Sequence, residues 1–232
     1  MSWIVLITLI VAVTAFLVWA SADVRSGIYL GMLCRTTTHR RVVALTFDDG
    51  PDAEETPRVL DVLKRHGVRA TFFVVGERIE AHPELLLRML SEGHTIGNHT
   101  STHTASLPLK RSRTIADEID RTRTLVTRLT GLRMRLFRPP FGVTNPNVAR
   151  AVRRTGVVSV GWSIRSLDTM KGDRQRVLER ILSHLHPGGV VLLHDRVEGA
   201  AELLDRLLVA LKAQNYTTAT VDELFEIEAY EK

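Results

Sequence analysis

The amino-acid sequence predicts an α/β chain in which a parallel sheet is covered by helices and closes in the manner of a barrel, behind an amino-terminal membrane-spanning helix. Three observations carry this. Short runs such as 42–47, Val-Val-Ala-Leu-Thr-Phe, are apolar at almost every position, as strands buried on both faces of a parallel sheet must be. Stretches with apolar residues at the spacing of one helix face alternate with them, strand then helix, seven times over. Residues 3–20 contain no charged side chain.

That first stretch, at ~1.5 Å per residue, is just long enough to cross a hydrocarbon core of ~30 Å. Ala20-Ser21-Ala22 offers the small residues of a signal-peptide cleavage site, but no basic stretch precedes the apolar run, so 1–22 reads as an uncleaved anchor in preference to a cleaved signal. Its first basic follower is Arg25, then Arg35, Arg40 and Arg41, a pattern that would keep this flank in the cytoplasm. Residues 23–40 read as a linker and 41–232 as the folded domain. The first strand, 42–47, ends in Asp-Asp-Gly-Pro, a turn signal. Thr56-Pro57 then opens a helix with one apolar face at Val59, Leu60, Val62 and Leu63, closed by Gly67. Further strands are expected at 70–75, 94–98, 134–137, 157–160, 190–193 and 217–221. The helices between and after them are expected at 82–92, 112–130, 146–155, 173–186, 200–214 and 222–229. Seven units over this length favour barrel-like closure over an open doubly wound sheet.

At 232 residues, with 44% apolar and 25% charged side chains, the composition is that of an ordinary globular chain and excludes disordered and collagen-like classes. The single cysteine, Cys34, can form neither an internal disulfide nor a Cys-rich metal cluster, so any metal must be held by His, Asp or Glu. The net charge of +5 suits an anionic surface without naming one, and nothing points to nucleic acid.

In barrels of parallel strands the chemistry gathers where strands end, so polar residues directly after each apolar run are the candidates. Asp48 and Asp49 follow the first strand, and one carboxylate there could bind a cation while the other handles a proton. His99 and His103 follow the third, spaced i, i+4 as on one face of a helical turn; with Asp49 they make a two-histidine, one-carboxylate set for a divalent metal with coordination positions left open. Arg138-Pro139-Pro140-Phe141-Gly142 follows the fourth strand as a stiff loop. Leu192-Leu193-His194-Asp195 puts a histidine at the barrel mouth, where it could donate a proton near neutral pH. The other histidines, His39, His66, His82, His94, His184 and His186, read as surface or packing residues.

Taken together these residues resemble the polysaccharide deacetylase family, carbohydrate esterase family 4 or NodB homology domain, over roughly 41–224. The motifs run in order as Thr46-Phe47-Asp48-Asp49-Gly50, His99-Thr100-Ser101-Thr102-His103, Arg138-Pro139-Pro140-Phe141, Trp162-Ser163-Ile164-Arg165-Ser166-Leu167-Asp168 and Leu192-Leu193-His194-Asp195. The resemblance implies a distorted (β/α)7 barrel, removal of acetyl groups from N-acetylated sugars, and a divalent cofactor, zinc or a neighbour such as cobalt. It implies Asp48 as general base, Asp49, His99 and His103 as metal ligands, His194 as general acid and Arg138 as the group orienting Asp48. Substrate contacts would come from Pro140, Phe141 with its backbone N–H toward the oxyanion, Trp162 at the sugar rim, and Leu192 against the acetyl methyl. Trp162 and Leu192 read equally as packing residues. Arg165 stands where many members have an Asp, Thr169 where a Trp is common, and Phe141 where a Tyr is common. Asp168 is then expected to pair with either Arg165 or His194.

The leading expectation is an N-deacetylase tethered to a membrane and facing a cell-envelope glycan such as peptidoglycan or a chitin-like polymer. An O-acetyl esterase and a catalytically silent glycan-binding domain are the competing readings, and a cytoplasm-facing enzyme on a lipid-linked sugar would fit the arginine pattern after residue 22.

Overall fold

A computed structural model describes residues 3–170 and 172–231. Helix α1, Trp3–Ala22, is long and apolar enough to cross a membrane, and its side chains are exposed along nearly its whole length. The domain follows as β1 (Val42–Asp48), α2 (Glu55–His66), β2 (Thr71–Val74), α3 (Gly76–Ala81), α4 (Pro83–Ser91) and β3 (Thr95–Asn98). Then come α5 (Ser112–Thr130), β4 (Leu136–Phe137), α6 (Pro146–Thr155), β5 (Val158–Ser159) and β6 (Ile164–Arg165). The chain closes with α7 (Arg174–Ser183), β7 (Gly189–His194), α8 (Ala200–Ala213), β8 (Thr217–Ala219) and α9 (Val221–Phe225).

All strand pairs are parallel, in the order β5-β4-β3-β2-β1-β7-β6, with β8 beside the start of β1. The result is a distorted barrel of the (β/α)7 type, left open between β5 and β6. β1 sits at the centre because it is buried at every position, and the core collects around it: Leu45, Phe47, Leu60, Phe72 and Leu207 lie under the helices, and Ala44, Phe73, Val190 and Leu192 toward the other face. α2 ends where Gly67 takes a left-handed conformation (φ 63°), as its position in the sequence predicts. Two elements were not expected. α3 is six residues long and β6 two, too short for either periodicity to register.

Residues 23–40, expected as a linker, are packed. Val24 and Cys34 are buried, Leu33 pairs with Val160 and Arg35 with Gly189, so the segment runs across the open seam from the β5 side to β7.

Candidate active site

The carboxyl ends of β1, β3, β4 and β7 converge on one cleft of about 210 Å3. Asp48 closes β1 in register with His194, the last residue of β7. Asp49 follows with a left-handed backbone (φ 73°), a conformation that Asp tolerates better than most residues, and this turns its carboxylate toward the β3 side. There His99 Nε2 lies 3.3 Å and His103 Nε2 3.2 Å from Asp49 Oδ1, and His99 Nε2 is 3.9 Å from Asp48 Oδ2.

The two imidazoles meet for a different reason from the one expected. The 99–103 segment is not a helical turn; Thr100 and His103 both have positive φ (71° and 49°), and the loop doubles back on itself. It is pinned from outside. Asn98 Oδ1 accepts from the Thr100 N–H at 2.8 Å, and the Glu118 carboxylate on α5 accepts from the N–H groups of Ser101 (3.1 Å) and Thr102 (2.8 Å).

His99 Nδ1 donates to the Arg138 carbonyl at 2.8 Å, which leaves Nε2 as a lone pair facing Asp49. Burial, reinforced by the neighbouring His99, holds the His103 pKa down to about 4, so that ring is neutral at pH 7. Two imidazole nitrogens and one carboxylate oxygen thus crowd within 4.8 Å of one another. A cluster of electron pairs at that spacing is what a divalent cation of the zinc type would fill, so the residues present fit such an ion.

The proton-handling groups are each held by a buried partner. Arg138 is completely buried; its guanidinium donates to Asp48 Oδ1 at 2.7 Å, Thr46 Oγ1 at 2.8 Å, the Gly161 carbonyl at 2.7 Å and the Val160 carbonyl at 3.2 Å. Its Cζ lies 4.1 Å from the centre of the Phe73 ring. Far more than a stiff loop holds this arginine: the sheet interior fixes it on every side. At the other end, His194 Nδ1 and Asp168 Oδ1 are 2.7 Å apart, while the His194 backbone N–H donates to Asp168 Oδ2 at 2.8 Å. Burial pulls the His194 pKa down, but the Asp168 hydrogen bond and charge outweigh it, and the net direction is upward from 6.5. Of the two partners expected for Asp168, then, the structure supplies His194. Arg165 turns outward and lies over Trp162, with its Cζ 5.9 Å from the ring.

Phe141 stands half exposed at the rim with its ring 4.8 Å from that of His103, and its backbone is left-handed (φ 61°). Trp162 and Leu192, both buried, line the cleft as well. Pro140 does not; it packs beside Leu107, Phe137 and Val148 in a small apolar recess, because the tight turn at 140–142 carries its ring away from the opening.

Comparison with known proteins bears on this geometry. A family model described as polysaccharide deacetylase matches residues 35–160. The chain belongs to the polysaccharide deacetylase family. It is 39% identical over 206 residues to the peptidoglycan-N-acetylmuramic acid deacetylase PdaA of Bacillus subtilis, across 86% of this chain and 76% of that one. It is 35% identical over 188 residues to a peptidoglycan-N-acetylglucosamine deacetylase of Bacillus cereus, across 79% and 68%. Among solved structures, the Bc1960 peptidoglycan N-acetylglucosamine deacetylase in complex with a hydroxamate-bearing benzamide superposes with a TM-score of 0.79 at 32% identity, covering 85% of this chain and 94% of that one.

Three groups at the site of this polysaccharide deacetylase were given no role from the sequence, although Asp195 stands in one of its motifs. Arg196 Nε donates to Asp49 Oδ2 at 2.9 Å, engaging the oxygen that the histidines leave free. Its only signal is its place two residues after His194. Glu118 was legible in principle, as a carboxylate on the buried face of α5 between Ile115 and Thr122. Asp195, fully buried, receives a hydrogen bond from Thr56 Oγ1 at 2.6 Å, and burial pushes its pKa up to about 7. It ties the start of α2 to the end of β7 directly behind the Asp49 turn.

Proposed function

We propose that this protein is a membrane-anchored, metal-dependent hydrolase that removes N-acetyl groups from amino sugars of an N-acetylated glycan, with peptidoglycan the first candidate. The observation that carries the reading is the pairing, in one cleft, of a two-histidine, one-carboxylate set with two oppositely specialised proton carriers: Asp48 ion-paired to Arg138, and His194 backed by Asp168. The substrates named for its relatives support the class of glycan and favour the envelope side of the membrane for the domain.

Asp49, His99 and His103 would hold the ion, with zinc the best match to the donor set and cobalt an acceptable substitute. When bound, a divalent ion supplies Lewis acidity to a water molecule and to an acyl oxygen. Asp48 accepts the proton of the attacking water. Arg138 fixes the orientation of that carboxylate through Oδ1 and leaves Oδ2 turned toward His99 and the cleft. The Phe141 backbone N–H, at the rim of the cleft, would meet the charge that gathers on the acyl oxygen. His194, its Nδ1 engaged by Asp168, presents Nε2 as the donor to the departing amine, which cannot leave without a proton. Leu192 and Trp162 exclude water beside the acetyl group and the sugar.

The test uses the full chain in detergent, with acetate release followed on peptidoglycan and N-acetylglucosamine oligomers. Release is expected to stop with a chelator, to return with zinc or cobalt, and to vanish in Asp48→Asn. Chelator-insensitive release, or none from any N-acetylated glycan in protein shown to bind metal, would overturn the proposal.

A further inference from the structure

The end of α1 is locked onto the rim of the catalytic cleft. Ala20 is fully buried, the Ser21 carbonyl accepts from the Thr144 N–H at 2.9 Å, and Val24 shares a buried cluster with Trp162. The remainder of the helix stands clear of the domain. Thr144 lies three residues beyond Phe141, and Trp162 lines the cleft itself, so the loops that seat the helix also form the mouth. Wherever a bilayer surrounds α1, its surface lies against that mouth.

Between the helix end and α7 is a second cavity of about 380 Å3, walled by Trp19, Arg25, Trp162, Arg165, Arg180 and His184. Trp162 and Arg165 belong to the cleft too, so the two spaces share a wall. Asp23 neutralises Arg25, the two being 3.2 Å apart. Arg180 Nε donates to the Arg165 carbonyl at 3.0 Å, and neither Arg165 nor Arg180 has a carboxylate partner among the described residues. Two guanidinium groups without counter-charge therefore face a cavity at the depth of lipid headgroups, beside Trp19, a residue type that favours that interface.

We infer that this cavity holds the phosphate or pyrophosphate of a membrane-anchored saccharide, whose N-acetylated sugar then enters the cleft. This rests on the deacetylase reading and narrows its substrate to a glycan still attached to its lipid carrier. The charge identifies the anion, the shared wall joins anion and sugar in one molecule, and the seated helix end fixes the bilayer as the source.

The test places the metal-free full chain in nanodiscs of zwitterionic lipid and titrates tryptophan emission, since Trp19 and Trp162 both line the cavity. The probes are polyprenyl pyrophosphate in the bilayer, soluble inorganic pyrophosphate, and phosphatidylglycerol. Polyprenyl pyrophosphate is expected to give a saturable change that Arg180→Gln weakens roughly tenfold or more, with inorganic pyrophosphate weaker by a similar factor. In metal-loaded protein, Arg180→Gln raises KM for a polyprenyl-pyrophosphate-linked N-acetylglucosamine roughly tenfold and leaves turnover of soluble oligomers within about twofold. An equal response to phosphatidylglycerol, tighter binding of the free anion, or no effect of Arg180→Gln would each overturn the inference. Acetate from soluble oligomers with no binding response overturns it while sparing the deacetylase reading. Binding with no acetate from either substrate removes the deacetylase reading, and this substrate assignment with it.

Discussion

His194 enters the cleft with its ring held from behind, and the competition between burial and Asp168 decides when it can act. As the proposed general acid, His194 must carry its proton, so an upward shift from 6.5 keeps it competent as pH rises through neutrality, and kcat is expected to fall as pH passes through the shifted value. Asp168→Asn removes the charge that raises the pKa and leaves the burial that lowers it, so the descending limb of kcat against pH moves to lower pH. Activity above that limb falls about tenfold for each unit it moves. Asp168→Glu restores the position of the limb. A limb unmoved in the Asn variant would remove Asp168 from this role. At this scale much was legible: Asp48, Asp49, His99, Arg138 and His194 each stand at or within two residues of the end of an expected strand, and the strand ends brought them to notice. Arg196 and Glu118 were passed over, because the first reaches Asp49 only through the fold and the second, though a carboxylate on a buried face, sits on a helix whose buried face reads as packing.

At the scale of elements, Arg138, the proposed positioning residue, depends on a glycine two strands away from Asp48. β3 runs beside β2 with Gly97 opposite Phe73, and a methyl group at Gly97 would come within about 2.5 Å of that ring. Phe73 in turn lies beneath the Arg138 guanidinium. Gly97→Ala is expected to push the ring into the arginine, lowering stability by about 1–3 kcal/mol in urea denaturation and lowering kcat more than it raises KM. Phe73→Leu, which frees space at the clash, recovers part of both losses when combined with it. Additive losses in the double variant would break the proposed chain of contacts. The long elements were read closely from sequence: α5 and α6 begin and end where their apolar faces and glycine stops predicted. The short α3 and β6 were missed, while β4 and β5, as short as β6, were found because longer apolar runs contain them; the spacing of His99 and His103 pointed to the right pair through the wrong geometry, since positive-φ loops leave no periodic trace.

On the scale of the whole molecule, the unfilled seam of the barrel explains why residues 23–40 could not be read as anything but a tether. Their buried side chains, Val24 and Cys34, follow neither a strand nor a helix repeat, and the apolar surface that they cover becomes recognisable only once β5, β6 and β7 are in place. Covering it matters for the site. Val24 packs with Trp162 and approaches Gly142, and the pairings of Leu33 with Val160 and Arg35 with Gly189 tie the two sides of the opening together. We therefore propose that the folding unit begins near residue 23 and that a protein starting at Arg41 lacks part of its own core. Burying a side chain of this size contributes about 1.5–3 kcal/mol, so losing both Val24 and Cys34 together with the two backbone pairings removes roughly 3–6 kcal/mol, a large share of the stability of an ordinary domain. Two truncated proteins compared by urea denaturation check this. The one beginning at Asp23 is expected to melt cooperatively and to release acetate when loaded with metal. The one beginning at Arg41 is expected to have a much lower midpoint and an exposed, quenchable Trp162, the sole tryptophan in either truncated protein. Equal midpoints would return residues 23–40 to the status of a linker and place the whole of the stability in 41–232.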